Sequence, residues 1–166
     1  MRARRKVIVE MPLADIRRHA AEAASRATTE LLRAAHAIPA DRHLWRPGGL
    51  AHHTVRIVAH CGASNLFHAA VLAQAPLPFR TEEEHSATVN GCQTLDAAAE
   101  LLRRGAQALL DAIAAMPDER LGEPMVMPWG ERQPVLAGIL EPVLHMHRHA
   151  GQLEYIQMLL GDDNYH

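Results

Sequence analysis

Apolar residues recur at helical spacing along most of this chain, and prolines and glycines cut the pattern into four long segments. The first covers 12–38 and is rich in Ala, Leu, Arg and Glu, with Pro12 suited to a first turn and Pro39 to a stop. In 39–50, Pro39, Pro47, Gly48 and Gly49 surround Leu44 and Trp45, which predicts a loop pinned to the core by its tryptophan. A second helix follows over about 51–74. Residues 75–92 hold Pro76, Pro78, the acidic run Glu82-Glu83-Glu84 and Asn90-Gly91, and read as a long connection. Thr94 is a fitting N-cap for a third helix over 95–116, where Leu101, Leu102, Ala106, Leu109, Leu110 and Ile113 repeat at helical spacing before Pro117. Residues 118–133 read as an irregular excursion or a short strand pair, and a fourth helix covers 134–160 with Gly161 as its C-terminal cap.

Four such segments, with no βα alternation and no internal repeat, predict an all-α four-helix bundle with long loops between its second and third and its third and fourth helices. One domain over 1–166 is expected, with 1–11 as an N-terminal tail. Pro142 stands inside the fourth helix, where its ring presses on the residue four earlier. That residue is Gly138, which eases the clash and predicts a kinked but continuous helix; a fresh start at Pro142 is the alternative.

The 166 residues are 48% apolar, enough for a continuous core. Seventeen basic against nineteen acidic residues give a formal charge of −2, so no global attraction to nucleic acid or an anionic membrane is expected. The basic Arg2–Lys6 stretch precedes only Val7-Ile8-Val9, too short for the apolar part of a signal peptide, and no apolar run approaches a membrane span of about 20 residues. A cytoplasmic location follows as the expectation, with Cys61 and Cys92 as reduced thiols.

Histidine stands out, at twelve residues. His145 and His149 are four apart, about 40° on a helical projection, and leave the helix on one face. Gln152 and Ile156 continue that stripe, whereas His147 points about 200° away. A third ligand must come from another element: His60, amid Val55, Ile57, Val58 and Ala59, is the first choice and His53 the reserve. Three imidazoles with an open position suit zinc or nickel. Spacing alone also fits ordinary core or surface histidines. A zincin needs Glu where Met146 stands, and the one Glu-x-x-His spacing, Glu82 to His85, falls in the predicted connection, which excludes a di-iron bundle.

Three stretches carry a resemblance: Leu44-Trp45-Arg46-Pro47-Gly48-Gly49, Thr54 to His60, and His145 to Leu153 with its His-x-x-x-His-x-Gly-Gln pattern. In that order they resemble the DinB-like (DinB/YfiT-related) family of small bacterial helical bundles. The resemblance implies His60, His145 and His149 as ligands of one divalent metal, zinc or nickel, with Gln152 in the motif but not a ligand, and a homodimer. Family members are similar to bacillithiol S-transferases and mycothiol-dependent maleylpyruvate isomerases, which activate a low-molecular-weight thiol at the metal. Pro142, just before the histidine pair, departs from the family pattern.

The expected chemistry is activation of a thiol or water against a small-molecule electrophile, as a thiol S-transferase or hydrolase. Glu141, about 40° from His145 on the other side of the ligand face, is the candidate general base. Arg56 and Arg148 are candidates for holding an anionic substrate, and Trp45 and Trp129 for the pocket wall, with surface and packing roles as the plainer reading of each. Cys61, about 100° from His60, reads as a buried structural thiol. The alternative function is a non-catalytic, metal-stabilised dimeric bundle with a binding or stress-related role.

Overall fold

Strong helix formers fill α1 (Leu13–Ala37), and its buried Ala20, Ala24, Ala27, Leu31, Ala34 and Ala35 fall on one face. The computed structural model describes residues 12–164 and 166; the expected tail over 1–11, with its basic stretch, lies outside the described residues. The other α-helices and the strands are α2 (Thr54–Ala73), α3 (Glu82–Gly91), α4 (Leu95–Ala115), β1 (Pro124–Val126), β2 (Arg132–Pro134) and α5 (Val135–Leu159), with short 3-10 turns at Ala40–Arg42 and Asp118–Gly122. The four long helices form a ring in the order α1, α4, α2, α5, each packed on its two neighbours, with the most extensive contact between α2 and α4.

Local chemistry sets most boundaries. The Thr94 hydroxyl accepts a hydrogen bond from the Ala97 N–H at 3.2 Å and caps α4. After α5, Gly161 takes φ +92°, its N–H donates to Met158 O at 3.1 Å and that of Asp162 to Gln157 O at 3.0 Å, a Schellman cap. Helix α5 runs unbroken through Pro142. At Gly138 a Cβ would lie 2.3 Å from the Met125 sulfur, so this glycine makes room for the β-hairpin. That hairpin pairs β1 and β2 antiparallel, Met125 opposite Gln133, and is the expected short strand pair.

Three expectations change. Residues 75–92 are not all connection: they contain α3, which starts where the Thr81 hydroxyl accepts from the Glu84 N–H at 3.2 Å and the three acidic residues meet the positive helix end. Helix α2 begins at Thr54 rather than near 51, because the His53 ring caps it, Nδ1 accepting from the Arg56 N–H at 3.2 Å. Helix α2 is also long and apolar enough, by length and composition, to cross a membrane, the only such helix among the described residues, with a mean hydropathy of 1.2 over its best window. It packs between α4 and α5, and 61% of that window is buried. Glycine allows its close approach to α4: a Cβ on Gly105 would sit 2.3 Å from the Gly62 carbonyl oxygen, and one on Gly62 2.6 Å from the Leu102 nitrogen.

Candidate functional site

Core packing fixes the rotation of the two helices that meet at the histidines. In α2, Val58, Ala59, Cys61 and Gly62 are buried, which leaves His60 half-buried at the edge of that face. In α5, Met146, Ala150 and Leu153 are buried, and the Met146 sulfur receives hydrogen bonds from the Thr28 hydroxyl at 3.5 Å and the Asn65 amide at 3.4 Å. This anchor holds His145 and His149, half-buried and one turn apart, toward α2. The three rings converge through Nε2: 3.1 Å separates those of His60 and His145, and 3.0 Å those of His145 and His149. Among the described residues no fourth His, Cys, Asp or Glu joins this group.

The electrostatics keep all three rings neutral near pH 7. Burial, then the neighbouring His149 and His85, pushes His60 down to about 4. Burial, then His149 and His60, pushes His145 down to about 3, and burial also lowers His149. Gln152 Oε1 lies 2.7 Å from His149 Nδ1, so that nitrogen carries the proton and donates it, and Nε2 presents a lone pair to the cluster. The His145 Nδ1 is buried without a hydrogen-bond partner. No placement of protons satisfies three facing Nε2 atoms: His145 can donate to only one of its two neighbours. A cation satisfies all three, and nitrogens bound to zinc at 2.0–2.1 Å in a tetrahedron stand about 3.3 Å apart. The donor set fits a divalent metal.

A cleft of about 500 Å³ opens beside His60. One wall is α2, through His60, Ser64, Phe67 and His68; the other comes from 77–82, from His85 of α3, and from Pro128 and Trp129 at the hairpin turn. His85 packs edge-on against both His60 and Phe79, ring centroids 5.4 Å apart in each case. Trp129 is 61% exposed, lies parallel to Phe67 at 6.1 Å and donates to Glu131 at 2.9 Å. It is a cleft wall rather than a packing anchor, while Trp45 packs against the core as expected.

The other candidates separate. Arg56 donates to the Asn90 side chain and ties α2 to α3. Arg148 faces a second cavity, of about 590 Å³, with His52, Gln152 and Tyr155. Glu141 is exposed, lies outside the residues lining the histidine cleft, and raises the pKa of His68 through its charge. His53 serves as the helix cap, and His147 pairs with Glu30 at 3.2 Å away from the cluster. Cys61 is a buried free thiol that burial pushes up, and Cys92 is free and half-buried. The sequence reading missed His68, which sits on the His60 face of α2 eight residues on, and His85, hidden in the presumed connection; the Thr81-x-x-Glu84 capping signature was the signal for its helix.

No curated protein matches the chain. Among solved structures, the mycothiol-dependent maleylpyruvate isomerase aligns with a TM-score of 0.69 at 12% identity, and a histidine-to-alanine variant of that enzyme with 0.69 at 10%. Each alignment covers 87% of this chain and 63% of the other, so the chain spans less than two thirds of those proteins, and the likeness is one of fold. The family model of the DinB superfamily matches residues 23–153, and the chain belongs to that superfamily.

Proposed function

We propose that this chain is a metal-dependent enzyme, a thiol S-transferase or hydrolase, with His60, His145 and His149 as ligands of one zinc or nickel ion. The observation that carries it is the convergence of three neutral Nε2 atoms at the edge of an aromatic cleft, with no fourth protein ligand among the described residues. A structural metal is closed by a fourth side chain, whereas a catalytic one keeps a position open. When bound, such a cation lowers the pKa of a thiol or water so that it reacts as a nucleophile near neutral pH.

The protein's own groups do the rest. Gln152 holds the His149 tautomer, and burial keeps His60 and His145 unprotonated and ready to donate. Phe67, Phe79 and Trp129 give the cleft apolar walls that displace water around a substrate. The relatives of known activity act with mycothiol, which favours a low-molecular-weight thiol as co-substrate. Glu141 remains the proposed general base, and its link to the cleft is the charge that raises the pKa of His68. A cytoplasmic homodimer is part of the same reading.

Elemental analysis of protein purified without chelator tests the proposal, beside a His145→Ala, His149→Ala double variant. About one equivalent of zinc or nickel, lost in the variant, is expected. A metal-free protein after growth and dialysis in both metals sinks it.

A further inference from the structure

We infer that the cleft beside the three histidines binds a planar, largely apolar small molecule bearing a hydrogen-bond donor, which His68 receives through Nε2. The inference deepens the proposed function by naming its substrate class, and takes from it only that the His60 end is the reacting end.

On α2 the projection turns about 40° from His60 to Ser64, −20° to Phe67 and 80° to His68, so one face carries all four over two turns, about 12 Å of axis. All four line the cleft. Flat aromatic surface meets a ligand along this length: Phe79 stands with His85 near His60, and Trp129 lies parallel to Phe67, with an interplanar angle of 10°, near His68. Rings of this kind favour another planar π system, offset-stacked or edge-on. A cleft of about 500 Å³ accommodates a molecule of two fused rings.

His68 supplies the polar end. Its Nδ1 lies 2.9 Å from the Ser64 carbonyl oxygen, which can only accept, so Nδ1 carries the proton and Nε2 is left as an acceptor. Nε2 receives no hydrogen bond from the described residues. Burial lowers the pKa of His68, offset in part by the Ser64 hydrogen bond and by the charge of Glu141, so the ring stays neutral and accepting at pH 7. His85 does not duplicate this role, because its ring packs edge-on against His60 at the reacting end, centroids 5.4 Å apart, rather than at the far end of the cleft. A hydroxyl or N–H on the ligand, placed one to two helical turns from the reacting end, satisfies the His68 acceptor; an isostere without the donor leaves it unpaired.

Equilibrium dialysis of the zinc-loaded full chain against 2-naphthol and 2-methoxynaphthalene tests this, since the second probe keeps the rings and loses the donor. The naphthol is expected to bind about tenfold more tightly, with the preference falling to near unity in His68→Phe and both probes weakened alike in Trp129→Ala. Trp129 is exposed at the hairpin turn, so its variant tests the cleft even where His68→Phe unfolds. Equal binding of the two probes by the unchanged chain overturns the inference, as does a preference that survives in folded His68→Phe. The metal content of each sample separates the two readings: selective binding by a chain that holds no metal sinks the enzyme proposal alone, and loss of selectivity with metal bound sinks this one alone.

Discussion

Single side chains decide whether the histidine cluster is ready for a metal. His149 depends on Gln152, whose carbonyl oxygen fixes the proton on Nδ1 and turns the Nε2 lone pair to the cluster. Gln152→Ala leaves all three proposed ligands in place but frees the His149 ring to choose the other tautomer and to rotate. Zinc affinity measured by chelator competition is then expected to fall by about 10–100-fold, with the unfolding midpoint of the metal-free protein unchanged. An unaltered affinity means that the ring is held by the cluster alone. At this scale the sequence was informative, because the four-residue spacing of His145 and His149 dictates a shared face whatever the tertiary fold. It was silent on Gln152 as the tautomer-setting group, since its reach to Nδ1 depends on rotamers.

Among the elements, those with a strong apolar period were legible and α3 was not. Only Val89 is buried in α3, so its ten residues lack the stripe that marks α1 and α4, and their acidic run resembles a solvated loop. The Thr81 cap and the adjoining helix dipole favour the helix instead, a local signal that periodicity does not register. The cleft was illegible for a related reason: its walls come from α2, α3, the segment before α3 and the hairpin turn, and only packing assembles them. Packing also makes opposite predictions for two helical glycines. Gly105→Ala drives a Cβ against the Gly62 carbonyl, backbone that cannot yield, and is expected to cost about 1–3 kcal/mol. Gly151→Ala meets nothing within 4 Å on the exposed face of α5 and is expected to stabilise by about 0.5–1 kcal/mol through helix propensity. Urea denaturation midpoints distinguish them; a neutral Gly105→Ala refutes the tight α2–α4 crossing.

For the whole molecule, the cluster couples folding to protons and to metal, because His60 belongs to α2 while His145 and His149 belong to α5. The core joins these helices without any ion, through Val58, Met146, Leu153 and their neighbours, so the metal-free chain is expected to stay folded. Its stability nevertheless depends on pH. The unfolded chain takes up protons on these histidines near pH 6.5, whereas folded His60 waits until about 4 and His145 until about 3. Between these limits the unfolded state binds more protons, and stability therefore falls as pH is lowered from about 6.5 toward 4. In EDTA, the urea midpoint is expected to be lower at pH 5 than at pH 7.5, and the difference to shrink in a His60→Gln, His145→Gln variant. Zinc at 100 times its dissociation constant adds about 2.7 kcal/mol at pH 7.5, and because folded His60 and His145 stay unprotonated until about 4 and 3, proton competition is expected to erode that increment only as pH falls toward those values. A zinc increment lost in full between pH 7.5 and 6 would show the ion binding through groups of ordinary proton affinity rather than through these buried imidazoles.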